Sequence, residues 1–290
     1  MTSNILLESG INELEIVVFK VGDSIFAVNV AKVDSILNAL PVTKIPQAHR
    51  NIKGLINYRN KVYPVVNLSN ALNVECIVPE EKRLMILIQI NNRDFAIEVS
   101  QVLGIKRLSW QDIQSPSALV MGNQNTSITG VVNEDEDNMI LMLDLEKILA
   151  DISSSLAIKK TAVLEDLNGK RIIVAEDSTF LLKVVQDTFV DAGAIVEAFS
   201  NGSQALDYLR NTEAESIYCV ITDIEMPVMD GLTLTRNIKE DSDLKSIPVI
   251  IFSSIVSDKL KHQGISVGAD DQITKPELGE LVNRILSLRK

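Results

Sequence analysis

Ile217-Tyr218-Cys219-Val220-Ile221-Thr222-Asp223-Ile224-Glu225-Met226-Pro227-Val228-Met229-Asp230-Gly231 runs from an apolar strand into a carboxylate and then into a tight turn. So short an apolar run, closed by Pro and Gly, reads as a buried parallel strand rather than a helix. Asp223 then sits at a strand's C-terminal edge, where open α/β sheets bind their ligands. A lone Asp in such a place is more often a turn former or helix cap. Three other strand ends change that reading. Arg171-Ile172-Ile173-Val174-Ala175 leads into Glu176-Asp177-Ser178, Ile247-Pro248-Val249-Ile250-Ile251-Phe252 into Ser253-Ser254, and Asp271-Gln272-Ile273-Thr274 into Lys275-Pro276. From Lys170 onward strand and helix alternate five times, with helices starting near Ser178, Ser203, Gly231, Ser257 and Glu277. That pattern predicts an α/β doubly wound parallel sheet, flavodoxin-like with order 2-1-3-4-5, in which Asp177 and Asp223 meet at the switch point.

A chain of 290 residues is too long for one typical core and points to a multidomain protein. The net charge of −11 is spread, with 13 basic against 19 acidic residues from Lys170 onward. Neither half carries the basic footprint of a nucleic-acid binder, so no nucleic-acid partner is expected. Cys76 and Cys219 lie far apart without C-x-x-C spacing and read as small buried hydrophobes in a reducing compartment. His49 and His262 are isolated, and no apolar run approaches the ~20 residues of a membrane helix. No membrane insertion is expected, and the reading is of a cytoplasmic protein.

Before Lys170 the grammar changes to short strands with period-two patterning. Ile16-Val17-Val18-Phe19-Lys20-Val21 and Ile25-Phe26-Ala27-Val28-Asn29-Val30 flank a Gly22-Asp23 hairpin signal. Phe26-Ala27-Val28-Asn29-Val30 returns as Phe95-Ala96-Ile97-Glu98-Val99, at an offset of 69. Gly54-Leu55-Ile56-Asn57 returns as Gly130-Val131-Val132-Asn133, and Val65-Val66-Asn67-Leu68 as Met142-Leu143-Asp144-Leu145. The first half is therefore an internal duplication, and an all-β double barrel is the predicted architecture. The acidic run Glu134-Asp135-Glu136-Asp137 reads as a solvated hairpin tip, and Trp110 as an apolar anchor at a domain edge or linker.

Two resemblances rest on these residues. The strand ends carrying Glu176, Asp177, Asp223, Ser253 and Lys275 resemble the receiver domain of two-component response regulators, over roughly Lys170 to Lys290. Val21-Gly22-Asp23, Ile45-Pro46 and the run from Gly54 through Asn57-Tyr58-Arg59-Asn60 to Leu68 resemble the CheW-like chemotaxis coupling domain. A coupling domain followed by a receiver is the arrangement of the CheV-type chemotaxis coupling proteins. The expected boundaries are 12–155 for the CheW-like domain, 156–169 for the linker and 170–290 for the receiver. That family has Gly where this chain has Asn60, and Asn tolerates the left-handed backbone such a turn requires.

The resemblance implies Asp223 as phosphoacceptor. It implies Mg²⁺ held by Glu176, Asp177, Asp223 and the backbone carbonyl of Glu225, with Ser253 and Lys275 contacting the phosphoryl group. Clustered carboxylates also invite a hard cation on chemical grounds alone. Gln272 stands at the switch position where the family commonly has an aromatic residue, and a cis bond is expected before Pro276. In the first half Arg59 is the candidate receptor contact; without the resemblance it reads as a turn arginine stacked on Tyr58 or Tyr63. The implied partners are chemoreceptor cytoplasmic tips and the CheA histidine kinase, which places the protein at membrane-associated chemoreceptor arrays. The implied function is a scaffold joining the two, tuned by phosphorylation of Asp223. A phosphate sink draining the kinase is the alternative. The chain is not expected to be an enzyme, only to catalyse its own aspartyl phosphorylation.

Overall fold

The computed structural model describes residues 13–91, 93–116, 127–134, 138–152, 167–254, 258–275 and 278–288. The chain divides into two compact units, one of Leu14–Leu108 with Gly130–Ala157, the other of Ser109–Thr129 with Ile158–Lys290 and Met1–Glu13. The acidic tip at Asp135-Glu136-Asp137, most of the 156–169 stretch and the bond to Pro276 lie outside the described residues. Within that stretch Leu167 is fully buried, and its N–H donates to the Ala192 carbonyl.

The first unit is built from β1 (Glu13–Val21), β2 (Ser24–Asn29), β3 (Val33–Asn38), β4 (Ile52–Tyr58), β5 (Lys61–Asn67) and the short α1 (Leu68–Leu72). These are followed by β6 (Leu84–Ile90), β7 (Arg93–Val99), β8 (Gln101–Ser109), and then, after β9 (Ile113–Gln114), by β10 (Ile128–Asn133), β11 (Met139–Leu143) and α2 (Leu145–Ile152). The duplication is plain in this order, since β1 to β5 have counterparts in β6, β7, β8, β10 and β11. The two copies do not form separate sheets. One sheet has the order β8-β1-β2-β11-β10-β9 and the other β3-β6-β7-β5-β4, so, the two-residue β9 aside, each takes its first two repeat strands from one copy and the remaining three from the other. The exchange is sealed by two parallel pairings. Leu141 and Met142 lie against Phe26 and Ala27, and Val65 to Asn67 lie against Ala96 to Glu98.

Turn chemistry sets the registers. Gly22 adopts φ 60 at the β1–β2 hairpin, whose N–H donates to Ser100 Oγ, and Val21 pairs with Ser24 across it. At the β4–β5 hairpin Arg59 and Asn60 both take positive φ, 51 and 63, the signature of a two-residue type I′ turn. Asn60 thus does what glycine would do there. Cys219 is buried as expected, but Cys76 is half-exposed, its Sγ 3.2 Å from Ser100 Oγ, because it precedes the exposed stretch before β6.

Among the charges buried in the first unit, Asp144, Lys147 and Glu98, the last joins separate strands. Glu98 on β7 is 4% exposed and accepts from Lys53 Nζ at 2.6 Å and Arg83 Nη1 at 2.8 Å, while Arg83 Nε donates to the Val78 carbonyl. Leaving such cations without their partner costs about 3–5 kcal/mol. Glu98→Ala is therefore expected to lower the unfolding free energy of this unit by about that much in urea titrations, and Glu98→Gln by less, since the amide oxygen still accepts.

The second unit holds the parallel sheet β13-β12-β14-β15-β16, in which β12 is Arg171–Ala175, β13 Ile195–Phe199, β14 Ile217–Thr222, β15 Val249–Ser253 and β16 Asp271–Thr274. This is the order 2-1-3-4-5 expected from the alternating pattern. The connecting helices are α3 (Thr179–Asp191), α4 (Gly202–Arg210), α5 (Gly231–Glu240), α6 (Asp258–Ser266) and α7 (Leu278–Ser287). Alternate strand residues feed two cores. Ile172, Val174, Cys219 and Ile221 pack with Leu181, Phe189, Leu281 and Ile285, while Ile173, Ala175, Ile217 and Val220 pack with Leu206, Leu209, Leu234 and Ile238. A sheet buried on both faces needs such uninterrupted apolar strands. In the inner strands β12, β14 and β15 the charged and hydroxyl residues other than Tyr218 stand at the ends, whereas the edge strands carry Glu197 and Gln272 within them. None of the described helices is long and apolar enough to cross a membrane.

Candidate functional site

Parallel register aligns the strand ends. Ala175 lies opposite Thr222, Thr222 opposite Ile251, and Ser253 opposite Thr274, so the next residues from three strands, Glu176, Asp223 and Lys275, emerge at one edge with Ser253. The backbone holds them there: Glu176 N–H donates to Phe199 O, Asp223 N–H to Ala175 O, and Lys275 N–H to Ser253 O. These are the positions singled out from sequence, and the fold brings them together.

All of them but Asp177, which is half-buried, are nearly sealed from water. Lys275 is 1% exposed, Ser253 2%, Glu176 3%, Asp223 6% and Glu225 8%. The Lys275 ammonium lies 2.7 Å from Glu176 Oε2 and 2.8 Å from Asp223 Oδ2, and 5.9 Å from the centre of the Phe252 ring. Glu176 Oε1 also accepts from Ser178 N–H, and Asp223 Oδ1 from Ile224 N–H at 2.6 Å. Glu176, Asp177 and Asp223 each offer an oxygen within 4.8 Å of the others. Three clustered carboxylates are a hard, all-oxygen donor set of the kind that suits Mg²⁺. The residues present therefore fit the expected cation.

The loop after Asp223 is shaped by residues whose importance was not read from sequence. Asp230 caps α5, its Oδ1 accepting from Leu232 and Thr233 N–H and its Oδ2 from Thr233 Oγ1. Burial pushes the Asp230 carboxyl above the usual carboxylate range, against the pull of those donors. Gly231 N–H donates to Ile224 O, and a Cβ at Gly231 would lie 1.8 Å from the Asp223 carbonyl oxygen. The helix can pack against the acceptor strand only without a side chain there. Val228 takes φ 67, while Met229 N–H donates to Pro227 O at 2.7 Å, closing a γ-turn of the rare positive-φ kind. A β-branched residue in that region costs about 1–3 kcal/mol. The Pro-Val-Met-Asp-Gly run signals a turn, but no propensity rule assigns the strained position to Val.

Gln272 lies on β16 with its Oε1 buried and without a hydrogen-bond partner, close against Gly264 of α6. Arg59 belongs to the other unit, on an exposed hairpin tip, its guanidinium 5.1 Å from the Tyr58 ring centre. The stacking read from sequence is present there. Trp110, read as an apolar anchor, is 7% exposed and opens a 3₁₀ turn capped by Ser109, which bonds Asp112 in return.

Residues 15–153 match the CheW-like domain, and residues 172–286 the response regulator receiver domain. The chain is 28% identical to the chemotaxis protein CheV2 of Helicobacter pylori, over 81% of this chain and 80% of that protein. It is 25% identical to CheV3 of the same organism, over 91% of each. Its first half is 30% identical to the chemotaxis protein CheW of Rhizobium meliloti, over 46% of this chain and 86% of that protein.

Two substitutions test this geometry. Gly231→Ala is expected to destabilise the receiver unit by about 1–3 kcal/mol or more, read by thermal unfolding, although no carboxylate is altered. Lys275→Ala leaves Glu176 and Asp223 facing each other unneutralised. Its melting temperature should fall in chelator and recover in part when Mg²⁺ is added, whereas the wild type should respond less.

Proposed function

Since this chain belongs to the CheV-type chemotaxis coupling proteins, a CheW-like domain joined to a receiver, we propose that it couples chemoreceptor cytoplasmic tips to the CheA histidine kinase. We propose further that Mg²⁺-dependent phosphorylation of Asp223 tunes that coupling. The observation that carries this reading is the set of buried Glu176, Asp223, Ser253 and Lys275 with half-buried Asp177 at one sheet edge. Among its described residues the coupling half buries its charges in ion pairs such as Glu98 with Lys53 and Arg83. The domains are taken as 12–155 and 170–290, separated by 156–169.

The chemistry follows from placement. An oxygen of Asp223 attacks the phosphorus of a phosphohistidine, the P–N bond breaks, and the electron pair leaves with the imidazole nitrogen, which takes up a proton. Positioning and charge neutralisation are most of what such a transfer requires. Lys275, already bonded to Asp223 Oδ2, carries its ammonium onto an incoming phosphoryl oxygen, and Ser253 supplies a hydroxyl from the neighbouring strand end. Glu176, Asp177, Asp223 and the Glu225 carbonyl would hold Mg²⁺, which supplies the charge neutralisation that three carboxylates and a phosphoryl group demand. The phosphoryl group stays on the protein itself, and the imidazole of the donor is what leaves. Arg59 faces solvent on its hairpin tip, an accessible place for a receptor contact.

With acetyl phosphate and Mg²⁺, intact-mass measurement should show one phosphoryl adduct on the wild type and none on Asp223→Asn. An adduct of equal yield on the variant would remove the acceptor assignment. In reconstituted arrays Asp223→Ala should still assemble with receptor and kinase. If instead the variant assembles normally but all effect on kinase output disappears, the phosphate-sink reading replaces the tuned scaffold.

A further inference from the structure

Ser109–Pro116 falls, by sequence, inside the stretch 15–153 that matches the CheW-like domain, yet it belongs to the same compact unit as the receiver sheet. The contact is specific. The Val228 N–H, on the loop that follows Asp223, donates to two carbonyls at once, Trp110 O at 3.1 Å and Ile113 O at 3.2 Å. Both residues are buried, Trp110 at 7% and Ile113 at 2% exposure. Val228 is also the strained residue of the loop, at the centre of the positive-φ turn. A β-branched side chain keeps that conformation only where its surroundings over-determine it. The two carbonyls are part of what does so.

Asp223 grips this loop at both ends. Its Oδ1 accepts the Ile224 N–H at 2.6 Å, and its backbone carbonyl is pressed against Gly231. Between these fixed points the loop bonds outward, through Val228. Turning the Asp223 carboxylate into an acyl phosphate makes a mixed anhydride, whose remaining carbonyl oxygen carries far less charge. The Ile224 N–H then loses a charge-assisted acceptor, and the loop loses one of the restraints that hold its strained turn.

We infer that the loop Ile224–Asp230 and the segment Ser109–Gln114 form an internal docking surface through which the phosphoryl state of Asp223 reaches the coupling part of the chain. This rests on the proposed phosphorylation of Asp223, and it adds the route. The signal leaves by the loop that carries the acceptor, through Val228, into a segment that directly continues β8. It does not require an aromatic lever at Gln272.

Trp110 is the single tryptophan of the chain, so its emission reports this surface without labelling. The full-length protein is examined first without phosphodonor, by acrylamide quenching of Trp110 and by NMR hydrogen exchange at the Val228 amide. Both should be protected. Quenching like that of free tryptophan, with loop-like exchange at Val228, would overturn the surface whatever happens at Asp223. Beryllofluoride with Mg²⁺ is then added as a phosphoryl mimic. Exchange at Val228 and quenching of Trp110 should change by about fivefold or more, the low end of typical coupling between sites, and Asp223→Asn should show no change. No response in a wild-type chain that takes the acetyl phosphate adduct would overturn the relay and leave the proposed function intact. A wild-type chain that takes no adduct would overturn the proposed function and the relay with it, while the protection measured without phosphodonor would still decide the surface.

Discussion

A single ammonium, that of Lys275, lies between two buried carboxylates at 2.7 and 2.8 Å, and the receiver unit is arranged around the need for it. Two carboxylates almost sealed from water repel each other, and burying their charge is costly without a cation between them. Neutralising them with a cation from a third strand requires those strands to be neighbours in order and equal in reach. The parallel registers meet that requirement, and so does Gly231, which lets α5 start hard against the acceptor strand. In the transfer proposed above, the lysine bonded to Asp223 would already stand where an incoming phosphoryl oxygen needs it.

Much of this was legible in the chain itself. Apolar runs that stop in Glu176-Asp177, Asp223, Ser253 and Lys275 announce both the strands and the edge where they end. The alternation of strand and helix announces the sheet order. The duplication was equally visible, from Phe26 and Phe95 onward, and so was the turn at Asn60. The pairing of the duplicated strands was not legible. Periodicity says which residues face a core, and says nothing of which copy supplies the neighbouring strand. Val228 escaped for a different reason, since its backbone conformation opposes its own propensity and is imposed by what surrounds it. Trp110 read as an anchor, and it is one. What it is anchored to depends on a contact more than a hundred residues away in sequence, beyond any local pattern.

The two units also handle buried charge in opposite ways. In the coupling unit Glu98 is satisfied by Lys53 and Arg83, a closed arrangement whose value lies in holding β4, β7 and the segment before β6 together. At the receiver site three carboxylates, Glu176, Asp177 and Asp223, gather around the one Lys275 ammonium, an excess of negative charge at a single sheet edge. The first cluster is finished, while the second is chemically incomplete by construction.

The strand exchange between the duplicated copies bears on how the chain is made. The edge of β2 is covered by β11, and about 110 residues separate Asn29 from Met139, which at ribosomal rates of about 5–20 residues per second is a wait of roughly 5–20 s. Neither copy can close its own sheet as it emerges. An unpaired strand edge invites pairing with other chains. A nascent chain of this kind therefore passes through a period in which the edge of β2 waits uncovered for a strand of the second copy.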